Sequence, residues 1–271
     1  MQTKSFQDNL RSPDTLSSIR TKITNAANLI RQSKKTVVLT GAGISTPSGI
    51  PDFRSAGSGL WTKYLPMEVA SLNIFRRNPK KFFAWLRPLA SHMLTANPNP
   101  AHLAIALLEK EGFIHTLITQ NIDILHQKAG TKNILEVHGT LNTLTCTACY
   151  QQYSSADFLA PYLESGQIPL CPNCGHILKP DIILFEEQLP IQTWLKAKDA
   201  AETCDLMIVA GSSLTVAPTA SLPVWAIEHH AKLIIINRTN TYIDVRADIV
   251  LTGDVADIIP LISKELLKDN E

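Results

Sequence analysis

The fold is decided by the stretch Thr36-Val37-Val38-Leu39-Thr40-Gly41-Ala42-Gly43-Ile44-Ser45-Thr46-Pro47. A short β-branched run opens directly into a Gly-x-Gly turn, the order expected of a strand followed by a nucleotide-binding loop. Glycines here permit a tight turn and let backbone N–H groups approach a pyrophosphate. The third glycine of the dinucleotide fingerprint is absent, because Thr46 stands there with Pro47 behind it. No acidic residue closes an obvious second strand about 20 residues later to hold a ribose. The turn fits nucleotide binding or a purely structural strand-to-helix turn, and it speaks against an ordinary dehydrogenase.

Working outward, Ser12-Pro13 reads as an N-cap with proline in the first helical turn. Leu16, Ile19, Ile23, Ala27 and Ile30 recur at helical spacing, so an amphipathic helix is expected to end near Gln32. Further buried-strand candidates are Thr116–Thr119, Leu206–Val209, Leu233–Ile236 and the shorter Ile249–Leu251. A helix around Leu103–Lys110 precedes the first of these, with Gly112 as its stop. Continuous apolar runs separated by helical stretches predict an α/β fold with a parallel sheet covered on both faces. Such sheets bind ligands at the carboxyl ends of their strands. Two segments break the alternation. Ala56–Pro100 is aromatic without a clear strand and reads as a helical insertion, whereas Thr140–Pro180 carries paired cysteines and reads as a separate lobe.

Composition narrows the function classes. Apolar residues make up 45% of the 271 residues and charged ones 18%, which excludes a disordered chain. Twenty-five basic against twenty-four acidic residues leave +1, so no global field points to nucleic acid or an anionic membrane. The first twenty residues include Asp8 and Asp14 and lack a continuous apolar core, unlike a signal or transit peptide. Leu206–Ile227 is uncharged but broken by Gly211, Pro218 and Pro223, so a strand, loop and helix fit it better than a membrane span. A soluble, cytoplasmic protein with no membrane partner is expected.

Cys146-x2-Cys149 and Cys171-x2-Cys174 are separated by 21 residues, close to zinc-ribbon spacing. Four thiolates on two knuckle turns suit tetrahedral Zn²⁺, and a closed four-sulfur site has no open position, so the metal is expected to be structural. Two disulfides or a redox pair are the alternative. Cys204 stands alone and reads as core packing. His138 ends the segment Glu136-Val137-His138-Gly139, near Gln120-Asn121-Ile122-Asp123 at the end of a strand. Polar residues at strand ends are where general acid–base groups belong in this architecture. His126 competes for that role but begins a helix, and the remaining histidines have no supporting context.

Taken together, GAGISTPSGIPDFRS (Gly41–Ser55), Thr119–Asp123 with Leu125-His126, Val137-His138-Gly139, the cysteine pairs, Gly211-Ser212-Ser213-Leu214 and Asn237 resemble the sirtuins. These are NAD-dependent protein-lysine deacylases. The blocks occur in family order over nearly the whole chain. The resemblance implies a Rossmann-like NAD-binding domain over 16–55, 101–139 and 181–260. It also implies a small domain built from the 56–100 helical and 140–180 zinc-ribbon insertions, with 1–15 as a flexible leader. Acyl-lysine proteins or peptides would be the partners, with no direct part for nucleic acid.

Carried over to this chain, Gly41, Ala42, Gly43, Thr46, Asp52, Phe53 and Arg54 would lie along NAD, Arg54 meeting phosphate and Phe53 covering the ribose. Gln120, Asn121, Ile122 and Asp123 would line the nicotinamide–ribose pocket. Gly211, Ser212, Ser213 and Asn237 would bind phosphate and the adenosine ribose, and Val255 would flank adenine. His138, with Asn121 and Asp123 beside it, would serve catalysis as general base, and Cys146, Cys149, Cys171 and Cys174 would hold zinc. The acyl oxygen would attack ribose C1′ as nicotinamide leaves, and the acyl group would end on ADP-ribose. ADP-ribosyl transfer, NAD hydrolysis and a non-catalytic NAD-sensing module are the competing readings. Trp85-Leu86-Arg87-Pro88 offers no clear Tyr-x-x-Arg pair for an acidic acyl group, so acetyl and longer aliphatic acyls are expected over succinyl. Glu186 stands where the family usually has glycine, and its side chain is expected to crowd or charge the peptide site.

Overall fold

Val37 and Leu39 enter one core and Val38 the other, which is why the run around them is apolar without a break. The same split puts Leu117, Ile208 and Ile234 on one face of the sheet, and Ile118, Met207, Val209, Leu233 and Ile235 on the opposite face. A strand buried on both faces cannot show polar alternation.

The structure, a computed structural model, describes residues 13–53 and 59–268, the side chains of 13–16 excepted. Arg54, the cap at Ser12, the Leu16 side chain and nearly all of the expected 1–15 leader lie outside the described residues. The chain opens with α1 (Pro13–Gln32) and β1 (Thr36–Thr40), followed by α2 (Pro66–Val69), α3 (Leu72–Arg77), α4 (Pro79–Thr95) and α5 (Pro100–Lys110). Next come β2 (Thr116–Thr119), α6 (Leu125–Ala129), β3 (Ile134–Glu136), β4 (Gly139–Cys146), β5 (Gln152–Ser154), α7 (Ala156–Ser165) and β6 (Leu178–Ile182). The remainder is α8 (Ile191–Thr203), β7 (Leu206–Ala210), α9 (Leu222–Glu228), β8 (Lys232–Asn237), β9 (Ile249–Thr252) and α10 (Val255–Leu267).

Six strands form one parallel sheet in the order β3-β2-β1-β7-β8-β9. Ile23, Ala27 and Ile30 of α1 pack on one face with Ile105 of α5 and Ile258 and Ile262 of α10. Ala197 and Ala201 of α8 and Leu222 and Ala226 of α9 cover the other. β1 pairs with β2 on one side and β7 on the other, so the direction of winding reverses between β1 and β7. That reversal leaves a crevice at the carboxyl ends of the two strands. β3 is an edge strand of three half-buried residues, too short to stand out in the sequence. α5 begins at Pro100 rather than Leu103, because Asn99 caps it and proline suits the first turn.

A second sheet, antiparallel in the order β5-β4-β6, carries the cysteines. Its lobe and the helical segment share one apolar core containing Phe75, Phe82, Phe83, Leu86, Tyr162 and Ile182. Tyr162 donates to Phe83 O (2.6 Å), and Arg87 caps α7 by donating to Leu163 O (2.9 and 2.6 Å) and Glu164 O (2.7 Å). No helix among the described residues is long and apolar enough to cross a membrane.

His102, which had no context in the sequence, and His126, the competing candidate for the base, prove to be core residues. His102 is fully buried, and its Nδ1 accepts from Asn99 N (3.4 Å) in a capping box. Its ring lies 4.7 Å from that of His126, which reaches Thr40 Oγ1 at 3.1 Å. Burial pushes His102 down from 6.5 to about 4 and His126 well below its ordinary value, so both imidazoles are neutral near pH 7. Between pH 6.5 and 4 the unfolded chain takes up a proton at residue 102 that the folded chain refuses. The stability held above pH 6.5 is therefore lost as pH falls, by roughly 3 kcal/mol for this group alone. His102→Gln keeps a side chain able to close the capping box. Urea melts at pH 7 and pH 4.5 should show a smaller loss for this variant than for the wild type; equal losses would contradict the assignment.

Candidate functional site

The site begins where β1 ends. Gly41 N donates to Ala210 O (3.3 Å) and Gly43 N to Gly211 O (2.8 Å), locking the turns after β1 and β7 backbone against backbone. A Cβ on Gly43 would stand 2.8 Å from Gly211 O; one on Gly211 would stand 2.3 Å from Ile44 N. Gly211 also has φ +63°, a conformation that side chains disfavour. Two short 3₁₀ turns, Ala42–Ile44 and Thr46–Ser48, then carry the chain away from the sheet.

The segment after β2 crosses this turn. Gln120 N donates to Thr40 O (3.0 Å) and its Nε2 to Ser212 Oγ (2.8 Å). Asn121 Nδ2 donates to Gly41 O and to Ser45 Oγ, both at 3.1 Å. Asp123 accepts from Ser45 Oγ (2.6 Å) and Leu125 N (3.0 Å). Burial raises its carboxyl above the ordinary range, opposed by those two hydrogen bonds. Asn237, after β8, brackets Ser212 by accepting from its N–H (3.0 Å) and donating to its carbonyl (2.8 Å). Asp254 caps α10 through Ala256 N, which brings Val255 to the same opening.

His138 follows β3. Its Nδ1 lies 3.1 Å from Gln120 O, and a carbonyl only accepts, so Nδ1 carries the hydrogen and Nε2 keeps its lone pair. Nε2 is 3.4 Å from Thr219 Oγ1. Imidazole, with an ordinary pKa nearest neutrality, is the side chain best suited to take a proton at physiological pH.

One cavity of about 630 Å³ joins these groups. Gly41, Ala42, Gly43, Thr46, Asp52, Phe53, Gln120, Asn121, Ile122, Asp123 and His138 line it, with Gly211, Ser212, Ser213, Asn237 and Val255. Of the residues expected on the cofactor, Arg54 alone is missing from this roll, lying outside the described residues. Beyond His138 the cavity turns apolar. Trp85, Leu89 and Met93, at i, i+4 and i+8 on one face of α4, line it with Ile182, Leu184 and Val216. Trp61 stacks on Phe53 (5.1 Å) and Trp85 (6.1 Å) and meets the edge of Phe185 (5.9 Å). Arg87, between two lining residues in sequence, projects away to cap α7. Among the described lining residues the only lysine or arginine is Arg238, which pairs with Asp254 beside Val255.

Sequence reasoning passed over two features. Ser45 holds both Asn121 and Asp123, although it lies inside the motif already singled out. The apolar face of α4 was legible as helical spacing but not as a cavity wall. Glu186 lines the cavity, and with φ +72° its carboxylate also accepts from Asn73 N at the start of α3 (3.1 Å). It thereby braces the pairing of Phe185 with Ser71, made by Leu72 N to Phe185 O and Phe185 N to Ala70 O, each 3.0 Å.

The four cysteines meet at one point. Cys146 and Cys174 sulfurs are 3.4 Å apart, those of Cys149 and Cys171 are 3.7 Å apart, and all four lie within 4.8 Å of one another. These distances exceed the roughly 2.05 Å of a disulfide. They suit four thiolates around zinc, where sulfurs at about 2.3 Å from the metal lie roughly 3.8 Å apart. Ala148 N and Cys149 N point at Cys146 Sγ (3.4 and 3.5 Å), and Tyr153 Oη lies 3.2 Å from Cys171 Sγ. Cys204 is buried apart from them.

The Sir2 family model matches residues 41–218. NAD-dependent protein deacylase 2 of Archaeoglobus fulgidus is 44% identical over 246 residues, covering 90% of this chain and 96% of that protein. A solved Sir2 enzyme with a deacetylated p53 peptide and 3′-O-acetyl ADP ribose superposes with a TM-score of 0.83. It is 37% identical, and the match covers 91% of this chain and 98% of that one. Another, bound to a myristoylated histone peptide, gives a TM-score of 0.79 at 37% identity, covering 93% and 98%.

Zinc analysis of the purified protein should find about one ion per chain. Cys171→Ser should lose the metal and lower the melting temperature. Full folding stability with no metal in the wild type would contradict the assignment.

Proposed function

The chain belongs to the Sir2 family, the sirtuins, and from that premise we propose that it is an NAD-dependent protein-lysine deacylase. The observation that carries the reading is the position of His138. It lies between a glycine-turn compartment suited to a dinucleotide and an apolar compartment suited to an acyl-lysine side chain, in one continuous cavity. Neither compartment alone distinguishes deacylation from NAD hydrolysis; a cavity that joins both at an imidazole base favours deacylation.

In this reading the pyrophosphate of NAD lies along Gly41–Gly43 and Thr46, with Asp52 in the same loop, Arg54 supplying positive charge and Phe53 covering the ribose. Gly211, Ser212, Ser213 and Asn237 hold the phosphate and adenosine ribose, and Val255 packs on adenine. Gln120, Asn121 and Asp123 position the nicotinamide ribose, and Ile122 offers its backbone. NAD is the co-substrate: the C1′–nicotinamide bond breaks as the acyl oxygen bonds to C1′. His138 Nε2 then takes the proton of a ribose hydroxyl, whose oxygen bonds to the former acyl carbon. The proton held by His138 passes to the lysine nitrogen, and the amine leaves. A water molecule adds to the cyclic acyloxonium that remains and loses a proton, leaving the acyl ester on ADP-ribose with a free neighbouring hydroxyl. The four cysteines hold zinc away from this chemistry and fix the small lobe.

The substrate side of the reading rests on the lining. Trp85, Leu89 and Met93 form an apolar wall, and Arg87 is engaged elsewhere, so among the described residues of that wall a carboxylate-bearing acyl chain finds no basic partner. Acetyl and longer aliphatic acyls fit. We read the setting as cytoplasmic, where four cysteines remain thiols available to a metal, and the partners as acyl-lysine proteins rather than nucleic acid.

His138→Ala should lower peptide-dependent release of acyl-ADP-ribose by about 100- to 10,000-fold, the usual contribution of a general base. Undiminished turnover would overturn the reading. Acetyl- and decanoyl-lysine peptides should both turn over faster than the succinyl peptide; equal or faster succinyl turnover would reject the apolar tunnel.

A further inference from the structure

Thr219 is a polar side chain in a place that packing alone does not explain. It opens the 3₁₀ turn Thr219–Ser221 and is fully buried. Other threonines in or beside short turns and helix ends satisfy their hydroxyls locally: Thr46 on Gly43 O, Thr62 on Gly59 O and Thr95 on Ser91 O. Thr219 reaches instead across 81 positions of chain to His138 Nε2, at 3.4 Å. A buried hydroxyl without a partner is costly, so valine or alanine would serve a purely packing role better.

With Nδ1–H committed to Gln120 O, Nε2 is the lone-pair nitrogen, and the Thr219 hydroxyl donates to it. Both ring nitrogens are thereby held, one from the end of β2 and one from the turn before α9. A hydroxyl can also reverse its role, accepting from an imidazolium N–H as readily as it donates to a neutral ring. Hydrogen bonds to a charged partner are the stronger of the two kinds.

We propose that Thr219 is a positioning residue for His138, holding the ring with Nε2 at the cavity and accepting from Nε2–H once that nitrogen has taken a proton. The inference rests on the reading of His138 as the base. The Thr219 hydroxyl first turns its hydrogen off the Nε2 lone pair, the ribose O–H proton then passes to that nitrogen, and as the ribose oxygen departs to the acyl carbon the Thr219 oxygen accepts from the new N–H. No bond to Thr219 forms or breaks. Catalytic hydrogen bonds often tighten as the reacting complex assembles.

The chemistry separates this role from a structural one. Departure of nicotinamide precedes the base step, so peptide-dependent exchange of labelled nicotinamide into NAD needs His138 only for fold. Thr219→Val, which matches threonine in shape, should keep this exchange and both KM values within roughly twofold. Formation of acyl-ADP-ribose should fall about tenfold, the worth of one hydrogen bond to a charged group. Thr219→Ser should restore it. A Thr219→Val enzyme with wild-type product formation would overturn the inference, as would exchange and product formation falling in parallel. If Thr219→Val does not fold, Thr219→Ala against Thr219→Ser decides by the same two assays, alanine impaired in product formation alone and serine in neither. His138→Ala is the reference: full product formation in that variant would sink the base reading itself, whatever Thr219 does.

Discussion

The rest of the structure depends on one close approach, the backbone contact between the Gly41–Gly43 turn and Gly211. β1 and β7 are neighbours, yet their connections wind in opposite directions, so their carboxyl ends open a crevice. Gly43 N on Gly211 O at 2.8 Å pins the two turns across that crevice at a separation no Cβ would tolerate. Gln120 and Asn237 then both reach Ser212, and Asn121 reaches Gly41. The polar half of the cavity is assembled on this contact, and His138 is tied to it through the Gln120 carbonyl.

The apolar half comes from a different source. α4 turns Phe82, Phe83 and Leu86 into the shared core of the small lobe and leaves Trp85, Leu89 and Met93 facing the cavity. Tyr162 and Arg87 bind α7, which lies between the two cysteine pairs in the chain, to α4, the helix whose apolar face lines the cavity. The brace from Glu186 to α3 fixes Phe185 against Trp61 on the opposite side. The wall is thus held by packing, while the glycine-turn end is held by hydrogen bonds.

Much of this was legible in the sequence, for physical reasons. Strands buried on both faces announce themselves as unbroken apolar runs, and β1, β2, β7 and β8 were all visible that way. β3 was not, since three half-buried edge residues leave no pattern. The cysteine pairs were readable because metal geometry fixes ligand spacing. The polar residues at strand ends were readable because the architecture dictates where they belong, and the motifs resembling the sirtuins supplied their order. What stayed hidden depends on contacts between distant segments. His102 and His126 gave no sign of their ring contact, the bond from Glu186 to the start of α3 left no trace in the sequence, and Thr219 lies 81 positions from the ring it touches.

The central claim is that one cavity couples cleavage of NAD to removal of an acyl group from lysine. The most direct measurement is the mass balance of a single incubation with NAD and an acetyl-lysine peptide carrying an isotopically labelled acetyl group. Nicotinamide and free lysine should appear in equal amounts, with the label on ADP-ribose. Label recovered as free acetate while NAD stays intact would contradict the account, and so would NAD consumed at the same rate without the peptide.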